Sequence, residues 1–338
     1  MMREKLSFRN KIRLPVSNGV MKKIYGFLFL LLLCGCAPPN TEKIETPQNQ
    51  PTPKVADERA PKLNIIKDSV VPFFKPMRVQ DGDWLESFSE NGQTFEEYLK
   101  SNPTLPTAER QTIYIQPLGD FTEKQREILQ ITAEYMKIFY NLPVRLEPEQ
   151  KLENVPKEMQ RKNPSEGHRQ IKSGWFLDDL LPKLLPQDAA AFICFTNFDL
   201  FPDENWNYVF GQANLKSRVG VWSLWRFGNP ENEYKPFLSR TLKVAMHETG
   251  HMFSIQHCTK YECLMSGSNH LGETDRRPLD VCPECMAKIA WAMRYEPQER
   301  YQNLAKFWEK QGWLTEQKVF EEKKRAVKKI SEIDLQNK

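Results

Sequence analysis

The sequence predicts an α+β fold in which helices pack against a mixed sheet, followed by a Cys-rich loop and a helical C-terminal part. Three observations carry this. Between residues 111 and 253, short apolar runs and amphipathic stretches follow one another in the order β-α-β-α-β-β-β-α. Four of the seven Cys fall within 258–285, directly after the last of those helices. From Pro283 to about Ile333 the pattern is helical.

The chain opens on a leader. Lys22 and Lys23 precede an apolar run of 11 residues, Ile24 to Cys34. A membrane span needs about 20, so residues 1–35 are expected to be a signal peptide. Its end, Leu33-Cys34-Gly35-Cys36, resembles a bacterial lipobox, with cleavage before Cys36 and lipid on its sulfur. Met21 is the better start site, because 21–35 alone makes a compact leader. A secretory leader without lipid is the alternative reading. The expected location is the bacterial cell envelope, with export and a lipid anchor in the outer membrane. Residues 36–62 read as a tether: 37–62 hold six Pro and no aromatic residue, too little apolar surface to offset their ordering entropy. A single domain is expected over 63–338.

Within it, Thr94 and Glu97 are spaced as a capping box for a short helix ending near Lys100. Gln111–Gln116 reads as a strand. Thr122 and Gln125 form a second capping box, opening an amphipathic helix with Ile128, Leu129, Ile131, Tyr135, Ile138 and Phe139 on one face. Pro143–Leu146 is a second strand, 147–172 is polar and loop-like, and Trp175–Leu185 is helical. Ala189–Phe195, Tyr208–Ala213 and Val219–Trp225 are three further strands, and Leu238–Phe253 is a long helix.

Composition excludes several classes. With 40% hydrophobic residues the chain is too apolar to be disordered, and 15 Gly in 338 residues exclude a fibrous repeat. The net charge of +4 misleads, because residues 1–35 carry seven Lys/Arg and one acid, which leaves −2 for the rest. The body therefore offers no electrostatic footprint for nucleic acid. A monomer is expected.

Residues 246–257 carry the chemistry: Met-His-Glu-Thr-Gly-His-Met-Phe-Ser-Ile-Gln-His. His247 and His251, four apart on a helix, project from one face and can grip one Zn²⁺. Glu248 sits beside them, placed to reach a zinc-bound water without being a ligand. His257 would point about 240° away if the helix continued, at 100° per residue. It is a third ligand only if the chain turns sharply after Phe253. Three imidazoles leave a fourth position open, the mark of a catalytic zinc. Met265, eight residues on, is a candidate Met-turn. Cys258, Cys263, Cys282 and Cys285 follow as C-x4-C-x18-C-x2-C, suited to a structural Cys₄ zinc. Two disulfides are the rival reading, since the chain is expected outside the cytoplasm. Facing pairs of this spacing favour zinc. Cys194, in an apolar strand, reads as a buried free thiol. His270 is a candidate oxyanion donor or a hydrogen-bonded loop residue, and His168 a solvated loop residue.

The run from His247 to Cys285 resembles the archaemetzincins, zinc peptidases whose pattern joins HExxHxxGxxH to C-x4-C-x-M and a distant CxxC. Cys263-Leu-Met265, Gly267-Ser-Asn-His-Leu271 and Asp275-Arg-Arg-Pro-Leu279 look like the animal-type members, as do Trp206-Asn-Tyr-Val-Phe-Gly-Gln-Ala213 and, nearer the N-terminus, Gly82-Asp-Trp-Leu85 with Gln93-Thr-Phe-Glu-Glu-Tyr98. The resemblance covers about 63–295. It implies a metzincin-like mixed sheet with an active-site helix and two Zn²⁺. His247, His251 and His257 would bind the catalytic zinc, and the four Cys the structural one. Glu248 would be the general base for attack of the zinc-bound water on a peptide or protein substrate. Tyr208, Phe210 and Ala213 would belong to a sheet edge that pairs with the substrate backbone. A zinc-stabilised peptide-binding lipoprotein without activity is the alternative, and Glu248 argues against it. Two departures stand out. The Met265–Cys282 gap of 16 residues is one shorter than in the archaeal pattern. Ser254 stands where the family has Gly, at a cost of about 1–2 kcal/mol if the position is left-handed.

Overall fold

The computed structural model describes residues 58–336; the signal peptide, Cys36 and most of the tether lie outside them. Among the described residues, eight strands form two sheets. The larger contains β1 (Thr112–Leu118), β2 (Val144–Leu146), β5 (Ala189–Thr196), β7 (Gly211–Asn214) and β8 (Val219–Ser223), in the order β2-β1-β5-β8-β7. All neighbours are parallel except β7, which runs antiparallel to β8 at the edge. These are the five strands the sequence predicts, so the mixed sheet is as expected.

Alternation along the strands sorts the core into two layers. Ile113, Ile115, Ile193, Phe195 and Trp222 face one side, where α4 (Glu123–Tyr140) and α7 (Tyr234–Met252) pack. Tyr114, Phe192, Cys194, Val219 and Val221 face the other. There they meet the helical run of α5 (Ser173–Trp175), a π-turn (Phe176–Leu180) and α6 (Leu181–Leu184). Each fully buried side chain of this size contributes about 1.5–3 kcal/mol relative to exposure. Cys194 is the buried free thiol expected.

The stretch 147–172 is not all loop. Gln160–Lys162 (β3), Arg169–Lys172 (β4) and Asp199–Phe201 (β6) form a second sheet, ordered β3-β4-β6. The buried carboxylate of Asp199 organises it, accepting from Gln170 and from both ends of the Arg226 guanidinium. His168 is part of this network: its Nε2 stands 2.8 Å from Asp199 and its ring stacks on Trp225. It is therefore not the solvated loop residue the polar sequence around it suggests. The strand expected over Tyr208–Ala213 shrinks to β7, and Tyr208 and Phe210 turn into the core.

Outside the sheets, α1 (Arg59–Asp68) begins four residues ahead of the expected onset at Leu63. Arg59 anchors it, donating to the carbonyls of Ala290 and Tyr295. It is followed by α2 (Trp84–Ser87) and α3 (Phe95–Lys100). Both capping boxes form as read, Thr94 with Glu97 and Thr122 with Gln125. After α7 come α8 (Leu271–Arg276), α9 (Pro283–Ala292), α10 (Pro297–Lys310) and α11 (Leu314–Gln336). Asp280, buried just before the last Cys pair, accepts from Arg300 on α10 and Lys323 on α11, each at 2.8 Å. This ion cluster ties the Cys-rich loop to the helical C-terminal part.

Candidate active site

The site is built at the end of α7. His247 and His251 lie one turn apart on its inner face, and Glu248 is buried beside them. The helix stops in a Schellman arrangement: Ser254 N–H donates to the His251 carbonyl and Ile255 N–H to that of Gly250. Ser254 occupies the left-handed region, with φ +65°. The strain anticipated from its side chain is thus present. It is partly offset, because Ser254 Oγ accepts from the Thr104 N–H at 2.9 Å. This reversal is the sharp turn His257 needs, and its ring comes to 4.8 Å from that of His251 and 5.2 Å from that of His247, centroid to centroid.

Each imidazole has its Nδ1 engaged. His247 donates to the Leu264 carbonyl at 2.9 Å and His251 to that of Ile255 at 2.6 Å, while His257 faces the Glu90 carboxylate at 2.9 Å. The Nε2 atoms of the three are therefore the candidate nitrogens for a metal ion. The Nε2 atoms of His247 and His251 stand 3.0 Å apart. Two nitrogens held tetrahedrally at 2.0–2.1 Å from zinc would stand about 3.4 Å apart, so the donor set fits a zinc ion with a small adjustment. Burial first, and then the two neighbouring imidazoles, hold the His247 pKa well below its ordinary value. This favours the neutral ring, the form able to bind a metal. Burial alone would raise the Glu90 carboxyl, but hydrogen bonding, first with His257, outweighs it and holds it low.

Met265 is buried under the helix. A Cβ on Gly250 would come within 2.6 Å of its Sδ, so the glycine lets the Met265 side chain pack directly against the helix backbone. The Met265 carbonyl accepts from Cys258 N–H, and Leu264 beside it holds His247, which places the turn directly beneath the histidines.

Cys258, Cys263, Cys282 and Cys285 bring four buried, free sulfurs within 4.8 Å of one another. Sγ of Cys258 and Cys282 are 3.5 Å apart. Thiolates on one zinc, each bonded at about 2.3 Å in a tetrahedron, would be roughly 3.8 Å apart. The arrangement favours a metal over the two disulfides weighed from the sequence.

A cleft of about 350 Å³ runs past the histidines, lined by His247, Glu248, His251 and His257 on one side and Gly211, Gln212, Ala213 and Leu215 on the other. Ala213 thus lies where the sequence placed it, at the edge strand beside the site. Tyr208 and Phe210 do not line this cleft; Tyr208 lies under the Arg226 guanidinium, 3.6 Å from the ring centre, and Phe210 packs on Phe227. Of the two readings of His270, the structure shows the hydrogen-bonded loop residue rather than an oxyanion donor. Its Nδ1 accepts from Glu273 N–H and caps α8. Two lining residues, Trp84 and Glu90, come from the N-terminal segment and were not read from the sequence. The Asn91-Gly92 turn beside them was a visible signal, but nothing local ties it to a histidine more than 160 residues away.

The chain is similar to known proteins over most of this architecture. Residues 169–291 match the model of peptidase family M54. Archaemetzincin-2 of Rattus norvegicus is 34% identical over 271 residues, covering 69% of this chain and 74% of that protein. The Homo sapiens archaemetzincin-2 is 34% identical, over 67% of this chain and 71% of its own length. The archaemetzincin of Thermococcus kodakarensis is 36% identical over 126 residues, 36% of this chain and 67% of that one. Among solved structures, an archaemetzincin from Methanopyrus kandleri aligns with a TM-score of 0.46 and 23% identity, covering 56% of this chain and 99% of its own.

Proposed function

The chain belongs to the archaemetzincin family of zinc metallopeptidases, and from that premise we propose that His247, His251 and His257 hold the catalytic zinc while Glu248 is the general base. The observation that carries this reading is the convergence of three imidazoles, their Nδ1 atoms engaged elsewhere, on the cleft that Glu248 also lines. Zinc, when bound, supplies Lewis acidity, lowering the pKa of water and polarising a carbonyl. Glu248 takes the proton of the attacking water on its carboxylate and later delivers it to the leaving amine. The outer edge of β7, residues 211–214, is the rail on which an extended peptide backbone lies as an added strand. Its main-chain groups hold the scissile bond, while the buried Tyr208 and Phe210 support the strand from below. Cys258, Cys263, Cys282 and Cys285 hold a second, structural zinc. Neither donor set needs a residue from another copy, which supports a monomer.

The test is hydrolysis of a mixed peptide library by zinc-loaded protein and by His251→Ala. The variant is expected to lose cleavage and one zinc together and to keep the other. Retained cleavage in His251→Ala overturns the ligand assignment.

We further propose export and lipid anchoring through Cys36, on the strength of the leader and its Leu33-Cys34-Gly35-Cys36 end. Cys36→Ser is expected to move the protein from the membrane to the soluble fraction. A variant that stays membrane-bound at unchanged mass contradicts the lipid anchor.

A further inference from the structure

We propose that Glu90 is a positioning residue for the catalytic zinc, orienting His257 from a segment that lies outside the active-site helix and its loop. The inference rests on the zinc reading above. His257 is the ligand that needs such help. His247 and His251 are fixed by α7 itself and donate to carbonyls of the chain just beyond it. His257 lies past the helix end, and its Nδ1 faces a carboxylate instead, 2.9 Å from Glu90 Oε2 and 3.1 Å from Oε1. A carboxylate accepting from Nδ1–H selects the tautomer with a free Nε2, fixes the ring plane and makes the ligand nitrogen more basic.

Glu90 is placed to orient rather than to ligate. The group whose donor atoms lie within 4.8 Å of one another consists of the three histidines without it. Its position is built, not incidental. On one side, Trp84 N–H donates to the buried Glu273 carboxylate at 3.0 Å, and the Trp84 ring meets His257 edge-on with centroids 5.2 Å apart. On the other, Gln93 Oε1 accepts from Gln256 N–H, and Lys288 donates to the Gln93 carbonyl. Between them Gly92 turns with φ +72°, so close to Thr259 that a Cβ would come within 2.4 Å of its Oγ1. Only glycine satisfies both demands, and the turn it makes delivers Glu90 to His257. The N-terminal segment is therefore a structural part of the metal site.

The experiment uses the full chain and measures zinc affinity at the more chelator-labile site, with the Cys-bound zinc as internal reference. Glu90→Ala is expected to weaken the labile zinc about 10–100-fold and to leave the other unmoved. Glu90→Gln, whose amide oxygen still accepts from Nδ1–H, is expected to fall between Glu90→Ala and wild type. Glu97→Ala removes the cap of the neighbouring helix without touching His257; it is expected to lower the melting temperature with zinc affinity unchanged. The proposal is overturned if Glu90→Ala holds the labile zinc as tightly as wild type. It is equally overturned if Glu90→Ala binds zinc normally and cleaves faster, since Glu90 would then be a blocking group. Absence of any labile zinc in wild type would instead remove the zinc reading itself, and the proposal with it.

Discussion

Glu248→Ala is expected to keep both zinc ions and to lose about 10²–10⁴-fold in peptide hydrolysis, the usual worth of a positioned proton acceptor. Glu248 lines the cleft with the three histidines but is not in the group whose donor atoms converge. Removing its carboxylate therefore takes away a proton acceptor and no ligand. The helix should tolerate the change, because Ala is the best helix former and the position is interior to α7. The comparison must be made at matched zinc occupancy. Equal rates for the two proteins would show that the proton goes elsewhere.

The second large effect concerns stability. Asp280→Asn removes the carboxylate that pairs with both Arg300 and Lys323, each no more than 3% exposed at the side chain. Breaking such a pair costs about 3–5 kcal/mol, so the variant is expected to unfold at much lower denaturant. The double variant Asp280→Asn, Lys323→Met is expected to regain part of the loss, which a local clash would not allow. The cluster also sets a pH dependence. Burial alone would raise the Asp280 carboxyl, yet Arg300 and Lys323 outweigh it and hold it below the ordinary value. Its contribution is thus complete above the unfolded carboxyl pKa of about 4. It is lost as the pH falls through the lower folded value. Acid denaturation monitored for wild type and Asp280→Asn should show the difference between them shrinking below that point.

What the sequence makes legible here is what is local. The capping boxes at Thr94 and Thr122 depend on residues three apart, and both form. The central strands β1, β5 and β8 announce themselves as buried runs because both faces of the sheet are covered there. Most of the candidate metal donors are local too, since His247 to Cys263 span one helix end and the turn after it. The Ser254 strain, in contrast, could be anticipated only through the resemblance, which has Gly at that position. The failures are where order comes from distant partners. Strands β3, β4 and β6 are only three or four residues long, too short for periodicity to show, and the buried Asp199 carboxylate organises them. Tyr208 and Phe210 alternate as strand residues do, but their alternation serves the core. Glu90 reaches His257 only because Trp84, Gln93 and Gly92 are each fixed by a different element of the fold.

The most direct test is to follow zinc and activity together as a chelator is titrated into the full chain, with native mass spectrometry counting the metal. The expected result is two zincs per chain, the first released with complete loss of peptide hydrolysis and the second retained by four free thiols. A single zinc accompanied by two disulfides, or hydrolysis that persists after the first zinc has left, would contradict the account.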